Sequence, residues 1–341
     1  MNRPQKKTNE VRQFILENIE DHPGDITSFV SAKFGISRQA SHRHIQKLVL
    51  NGLIIAKGTT RNRVYHVKPL VHFVDNLPLK GLEEDRLWRE SILPLMENVP
   101  PNVLQICHHG FTEMVNNAID HSEGTSLEIT VLRTYKLIEL QISDNGIGIF
   151  NKIQRAFNLD DPLHAILELS KGKLTTDPIH HSGEGIFFTS RIFDRFAILS
   201  GKLSFTHLEP DNDWLLENRE IVFSGTLVDL QINVHSKRST QKVFDRFAAD
   251  DFSFSKTHVP VFLARYGNEN LVSRSQAKRL LTRFERFKEI VLDFDNVESI
   301  GQAFADEIFR VFVSQNPNIH LIPVNTNSQV KKMIAHVKNA S

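Results

Sequence analysis

Apolar residues recur at helical spacing in three stretches at the start of the chain: Val11, Phe14, Ile15 and Ile19; Ile26, Phe29 and Val30; and Ala40, Ile45, Leu48 and Val49. His22-Pro23-Gly24 stops the first helix, Asp25 caps a second that ends at Gly35, and Ser37 caps the third. Two β-type runs follow, Leu53-Ile54-Ile55 and residues 64–67, and the Gly-containing basic loop between them predicts a hairpin. Residues 69–100 carry two Leu-Pro pairs, one Val-Pro-Pro and a helix predicted over Leu82–Met96, and they read as a connector. A helix is predicted from Asn102, then alternating strands at 127–131 and 138–142, a polar stretch over 150–182, and a further helix and strands that reach Val228. From about Phe244 the pattern alternates: helix Ser273–Phe287, buried strand Glu289–Phe294, helix Gln302–Val313, strand Ile319–Val324 and helix Ser328–Val337. That alternation predicts a small α/β unit, and the breaks divide the chain at 1–68, 69–100, 101–238 and 245–341.

Charge sharpens the first of these divisions. Over 341 residues the net charge is only +1, yet residues 1–68 hold 12 basic side chains against 5 acidic ones. A basic end joined to a mildly acidic remainder points to a nucleic-acid partner for that end. Its three helices and hairpin, over about residues 7–67, resemble the winged helix-turn-helix domain. That resemblance implies a recognition helix in which Arg38, Gln39, Ser41 and Arg43 read base edges, and a wing in which Lys57, Arg61 and Arg63 meet phosphates. The same fold also serves protein contacts, and the sequence leaves both uses open.

Composition excludes several classes. Hydrophobic residues at 40% and charged ones at 24% describe a globular chain. Cys107 stands alone, so there is no intrachain disulfide and no Cys-based zinc site is expected. The polar start lacks the apolar core of a signal peptide, and no run approaches the roughly 18 apolar residues of a membrane span. A cytoplasmic protein is the expectation, without membrane contact.

The chemistry concentrates in the middle. Glu113, Asn117 and Asp120, at i, i+4 and i+7, are predicted on one helix face. A strand runs straight into Asp144-Asn145-Gly146-Ile147-Gly148-Ile149; residues 181–186 read His-Ser-Gly-Glu-Gly-Ile, and Gly225-Thr226 opens a later strand. Gly146 and Gly148 lack the third glycine of a dinucleotide fingerprint, and no P-loop motif occurs. In order, the four elements resemble the boxes of the GHKL ATP-binding superfamily, whose members include gyrase, a heat-shock chaperone, the mismatch-repair ATPase, histidine kinases and anti-sigma-factor serine kinases.

The resemblance implies ATP and Mg²⁺ as ligands, with a role for each position. Asn117 would ligate Mg²⁺ through its side-chain oxygen. Asp144 would accept from the exocyclic amine of adenine, and Thr226 would support it from a neighbouring strand. Gly146 and Gly148 would let backbone approach the base, and Gly183, Glu184 and Gly185 would offer N–H groups to phosphate. Asn116, Asp120, Asn145, Ile149, Ser182 and Ile186 complete the implied contacts. The stretch 150–182, with Lys171 and Lys173, would be a mobile lid over the phosphates. Glu113 would be the general base, acting on water or on a seryl hydroxyl, or else a carboxylate that holds water around the ion. His108 and His109, on the same helix as Glu113, are expected to be core or surface imidazoles and not phosphate acceptors, while His180 and His181 flank the second glycine box and either touch phosphate or lie on the lid surface; no histidine grouping has the spacing of a zinc site.

The string IVLDFDNVESIGQAFADEIFRVF resembles the strand–turn–helix of the STAS domain of anti-sigma-factor antagonists. Those domains present a phosphorylatable serine in the turn, where this chain has Gly301-Gln302-Ala303, with Ser299 earlier on the strand end. Phosphorylation of the C-terminal unit by the middle one therefore lacks its acceptor. The expected fold class is multidomain α+β: a winged helix, a GHKL α/β sandwich with a mixed sheet, and a small STAS-like α/β domain. The expected function is an ATP-binding, DNA-binding regulator whose slow Mg²⁺-dependent ATPase acts as a switch, with a protein partner on the STAS-like unit and a homodimer in prospect. The alternative is a serine protein kinase of the anti-sigma type acting on a separate protein.

Overall fold

The computed structural model describes residues 3–59, 62–174, 183–209, 213–248, 253–265 and 269–339. Its first unit contains α1 (Arg3–Asn18), α2 (Ile26–Phe34), α3 (Arg38–Leu50) and an antiparallel hairpin of β1 (Ile54–Lys57) and β2 (Val64–Val67). Ser37 caps α3 by accepting from the Ala40 amide, and Gly35 closes α2 with a left-handed φ of 61°. Val11, Ile15, Ile19, Ile26, Val30, Ile45 and Leu48 form this unit's own core. Lys136 donates to the Glu17 carbonyl at 2.6 Å and Tyr135 packs on the same core, which ties the unit to the sheet described next.

The residues expected to be a connector begin instead with a strand, β3 (Val71–Pro78), in which Val71, Phe73 and Leu77 alternate inward. Pairing it with β4 (Ser126–Arg133) makes it the edge of a five-stranded sheet. The helix expected over 82–96 is three short pieces: α4 (Glu84–Leu87), a π segment to Ile92 and a 3₁₀ turn at Leu93–Leu95, where Pro94 denies the ladder an N–H. Then come α5 (Pro101–His121), β4, β5 (Leu137–Asp144), α6 (Ile149–Phe157), α7 (Pro162–Lys171), α8 (Gly185–Ile192), β6 (Arg195–Leu208) and β7 (Asp213–Asn233). The sheet order is β3-β4-β5-β7-β6, and every pairing is antiparallel. The expected mixed sheet is thus corrected: β3, β4 and β5 are sequential neighbours, and β6 and β7 form a hairpin, so no parallel crossover is needed. One sheet face buries Ile129, Val131, Leu140 and Leu230 against α5 and α8, whose Val103, Phe111, Val115 and Phe187 meet them.

The last unit follows α9 (Thr240–Phe247). It comprises β8 (Lys256–Pro260), α10 (Arg274–Leu281), β9 (Glu289–Asp293), α11 (Gln302–Asp306), a π segment, α12 (Val313–Gln315), β10 (His320–Val324) and α13 (Ser328–Asn339). β9 lies between β8 and β10 with both pairings parallel, as strand–helix alternation dictates. Gly301 is the N-cap of α11, where a Cβ would press into Val272, and Ser299 lies half-buried in the preceding loop. Buried side chains run without a break from Leu79 to Val337, so the sheet unit and the C-terminal unit share one core. Among the described residues no helix is long and apolar enough to cross a membrane.

Candidate nucleotide site

A cavity of about 300 Å³ opens between α5, the ends of β5 and β7, and the starts of α6 and α8. That is at the lower end of what a small-molecule site requires. Helix α5 contributes Glu113, Met114, Asn117, Ala118 and His121 to its wall. At about 100° per residue these five fall on one broad stripe, and Asp120 lies beyond its edge. Asp120 accordingly is exposed and does not line the cavity, whereas His121, unassigned in the sequence, does. Asn116 also faces away from it.

Asp144 ends β5 as a buried side chain at the cavity wall. It accepts from the Gly146 amide at 2.8 Å and from Thr226, directly opposite on β7. Burial pushes its carboxyl above the ordinary aspartate range, and those hydrogen bonds pull the other way. The Thr226 hydroxyl oxygen in turn accepts from the Ile149 amide at 3.0 Å, so β7 and the start of α6 are held to one geometry. Ile142, Ile149, Ile153 and Val228 give this part of the cavity an apolar lining. A flat heteroaromatic ring edge meeting one carboxylate is the ligand that such a wall suits.

The glycines of the Asp144–Gly148 turn are required by the protein's own packing rather than by room for a base. A Cβ at Gly146 would overlap the Ser122 carbonyl at the end of α5, and Gly148 has a φ of 85°. Asn145 is likewise a turn residue. Its side-chain oxygen accepts from the amides of Thr125 and Ser126, and its amide nitrogen donates to Thr125 Oγ1, which holds it out of the cavity.

Elsewhere Gly183, Gly185, Ile186, Leu169 and Leu174 line the wall. A Cβ at Gly185 would collide with the Glu113 carboxylate, so the amide-rich start of α8 and the acidic side chain are in direct apposition. Glu184 is pushed above the ordinary glutamate range by burial, with Lys173 acting against the shift, and it does not line the cavity. Lys152 is a cationic wall residue that the sequence reading missed; it pairs with Glu123 at 3.1 Å. Ser182, His180 and His181 lie outside the described residues. An oxygen-donor cation would fit beside Asn117 and Glu113, although no three His, Cys, Asp or Glu side chains among the described residues converge to hold a metal ion by themselves. Bound phosphates would therefore have to supply part of the coordination.

Lys171 requires a correction. It is fully buried, pairs with Glu168 at 2.6 Å, and donates to the carbonyls of Arg279 and Thr282 in the C-terminal unit. It cannot reach the cavity. Nor is 150–174 a polar lid: α6 and α7 occupy it, and α7 buries every residue from His164 to Lys171. The acidic and basic residues of α7 read as solvated, but Glu168 and Lys171 neutralise each other inside. Of the expected imidazoles, His108 packs at a tilt against Trp88, and His109, largely buried, meets Phe244 edge to face.

In the first unit Arg38, Gln39, His42 and Arg43 border a shallow groove at the exposed start of α3, together with Thr27. Ser41, placed among the base readers, is completely buried and points into the helix bundle. Lys57 is exposed on the hairpin, Arg63 is half-buried, and Arg61 lies outside the described residues.

No curated protein matches the chain. Residues 103–210, which include most of α5, the Asp144 turn and the Gly183–Gly185 turn, match the model of the histidine kinase-, DNA gyrase B- and HSP90-like ATPase family. Residues 276–331 match that of a STAS-like domain of unknown function, so the chain carries a GHKL ATP-binding domain followed by a STAS-like domain, an assignment that supports an ATP-binding regulator.

Proposed function

We propose that the protein is an ATP-dependent regulator whose N-terminal unit, a winged helix, binds DNA and whose GHKL domain sets the active state. The observation that carries the nucleotide half is Asp144, a buried carboxylate held by Gly146 and Thr226 in an apolar cavity whose wall also brings Glu113 against Gly185. Asp144 would accept from the adenine amine and so select adenine. The backbone amides of Gly183 and Gly185 would take the phosphate oxygens at the start of α8. Asn117 would hold Mg²⁺ by its side-chain oxygen, and the ion would offset phosphate charge. Glu113 would take the proton from a water attacking the terminal phosphate.

The DNA half rests on the exposed Arg38, Gln39 and Arg43 at the start of a capped α3, on Lys57 in the hairpin, and on the basic excess of residues 1–68. The N-terminal unit, the sheet unit with its edge strand β3, and the C-terminal unit would then be a reader, a nucleotide switch and a partner-binding surface. The test is fluorescence anisotropy of a labelled duplex pool with full-length protein, at several salt concentrations, with and without Mg²⁺-ATP. Salt-sensitive binding that shifts on adding ATP is expected. Binding indifferent to nucleotide, or transfer of labelled phosphate to a partner protein in place of phosphate release, would contradict it.

A further inference from the structure

Three successive backbone carbonyls at the end of α7 are each taken by a side chain of the STAS-like end of the molecule. Thr257 Oγ1 donates to the Lys171 carbonyl at 2.7 Å, Arg283 Nη2 to that of Gly172, and Arg286 Nη1 to that of Lys173 at 3.1 Å. The grip is reciprocal. Lys171 Nζ donates to the carbonyls of Arg279 and Thr282 at 3.1 and 3.0 Å, and Lys173 Nζ to that of Arg286 at 3.0 Å. Arg283 also pairs with Glu168 at 2.9 Å. Backbone carbonyls at the end of a helix are ordinarily met by water or by a local cap. Here they form a polar seam between two units, sealed around Gly172 by Phe187 and Phe254.

The next residue leads to the cavity. Leu174 lines it, and its amide donates to the Gly183 carbonyl at 3.2 Å; the two backbones are so close that a Cβ on Gly183 would press into Leu174. Gly183 opens the turn that ends at Gly185, against Glu113. A continuous path of hydrogen bonds and close packing therefore runs from the 279–286 turn through 171–174 to the wall that faces Glu113.

We propose that the Arg279–Arg286 turn of the STAS-like unit positions the Gly183–Gly185 turn, so that the conformation of the STAS-like surface and the affinity for the phosphates of ATP are linked. This inference rests on the cavity binding ATP. Arg283 and Arg286 are positioning residues in this scheme, since neither lines the cavity. Linkage is reciprocal: whatever the STAS-like unit binds changes ATP affinity by the factor by which ATP changes affinity for that partner.

The test compares ATP with adenosine in the full chain. Arg286→Ala alters an exposed side chain and should leave the fold intact, while Lys171→Met removes the centre of the seam. Both variants are expected to weaken ATP about 10-fold while adenosine affinity changes less than about 2-fold, a coupling in the ordinary range. In wild type, ATP but not adenosine should slow amide hydrogen exchange over 279–287, and Arg286→Ala should abolish that slowing. Equal weakening of both ligands, unchanged ATP affinity in Arg286→Ala, or no ATP effect over 279–287 would overturn the linkage. If wild type binds adenosine but not ATP, the phosphate site itself is wrong; if it binds neither, the nucleotide reading fails at its root.

Discussion

The Lys171 ammonium stands 2.6 Å from the Glu168 carboxylate one turn earlier on α7, and neither side chain reaches solvent. Arg283 joins them from the other unit, so one carboxylate serves two cations. Burial draws the Lys171 ammonium down to about 8, and Glu168 opposes that shift. The two partners are therefore unequal. Lys171→Met leaves the Glu168–Arg283 pair in place, while Glu168→Gln leaves two buried cations facing each other. We expect Glu168→Gln to cost about 3–5 kcal/mol and Lys171→Met less, measured by urea unfolding. The reverse order would show that Arg283 does not depend on Glu168.

Arg38→Ala and Arg43→Ala should each weaken duplex binding by about 1–3 kcal/mol if they meet base edges. Lys57→Ala should weaken it evenly across sequences and lower the salt slope by about one contact. Ser41→Ala should change stability and leave DNA affinity alone, because that side chain is buried in the bundle. A gel shift across salt concentrations separates these outcomes; no effect from either arginine would leave α3 without a reading role.

Asp229 on β7 faces Glu139 and Arg195 on the sheet surface opposite α5, and burial, aided by Glu139, pushes its carboxyl up to about 6 while Arg195 opposes. An unfolded aspartate titrates near 3.9. Between those values the folded protein binds more protons than the unfolded chain, so this group's contribution to stability falls as pH rises from about 4 to about 6 and is constant above. Asp229→Asn should remove that slope. Urea midpoints at pH 4.5 and 7.0 that shift in parallel for wild type and variant would contradict the assignment.

Much of the architecture was legible because its signals are local. Ser37 before α3, the alternation of Leu127 to Val131, and the buried run at Glu289–Asp293 each specify an element by themselves. β3 was just as visible in the alternation of Val71, Phe73 and Leu77, but the flanking prolines drew the reading toward a linker. Asp144, Thr226, Glu113 and Asn117 were legible from motif order, and they line one cavity. What failed were inferences needing a partner distant in sequence. Nothing near Lys171 announces that Arg279, Thr282 and Arg283 will receive it, and a helix-face argument of seven residues could not say on which side of Glu113 the cavity would open. Asn145 and Ser41 looked like ligand contacts because their residue types suit that role, but the fold uses the first for a turn and the second inside a core.

Calorimetric titration of full-length protein with ATP in Mg²⁺ buffer, on wild type and Asp144→Asn, tests the central claim most directly. The carboxylate accepts at both oxygens, whereas an amide must turn its NH₂ toward either the adenine amine or the Gly146 N–H, and an unpaired buried donor costs about 1–3 kcal/mol. Wild type should bind ATP at one site per chain, and Asp144→Asn should weaken it about 10- to 100-fold while remaining folded. No binding by wild type, or equal affinity in the variant, would contradict the account.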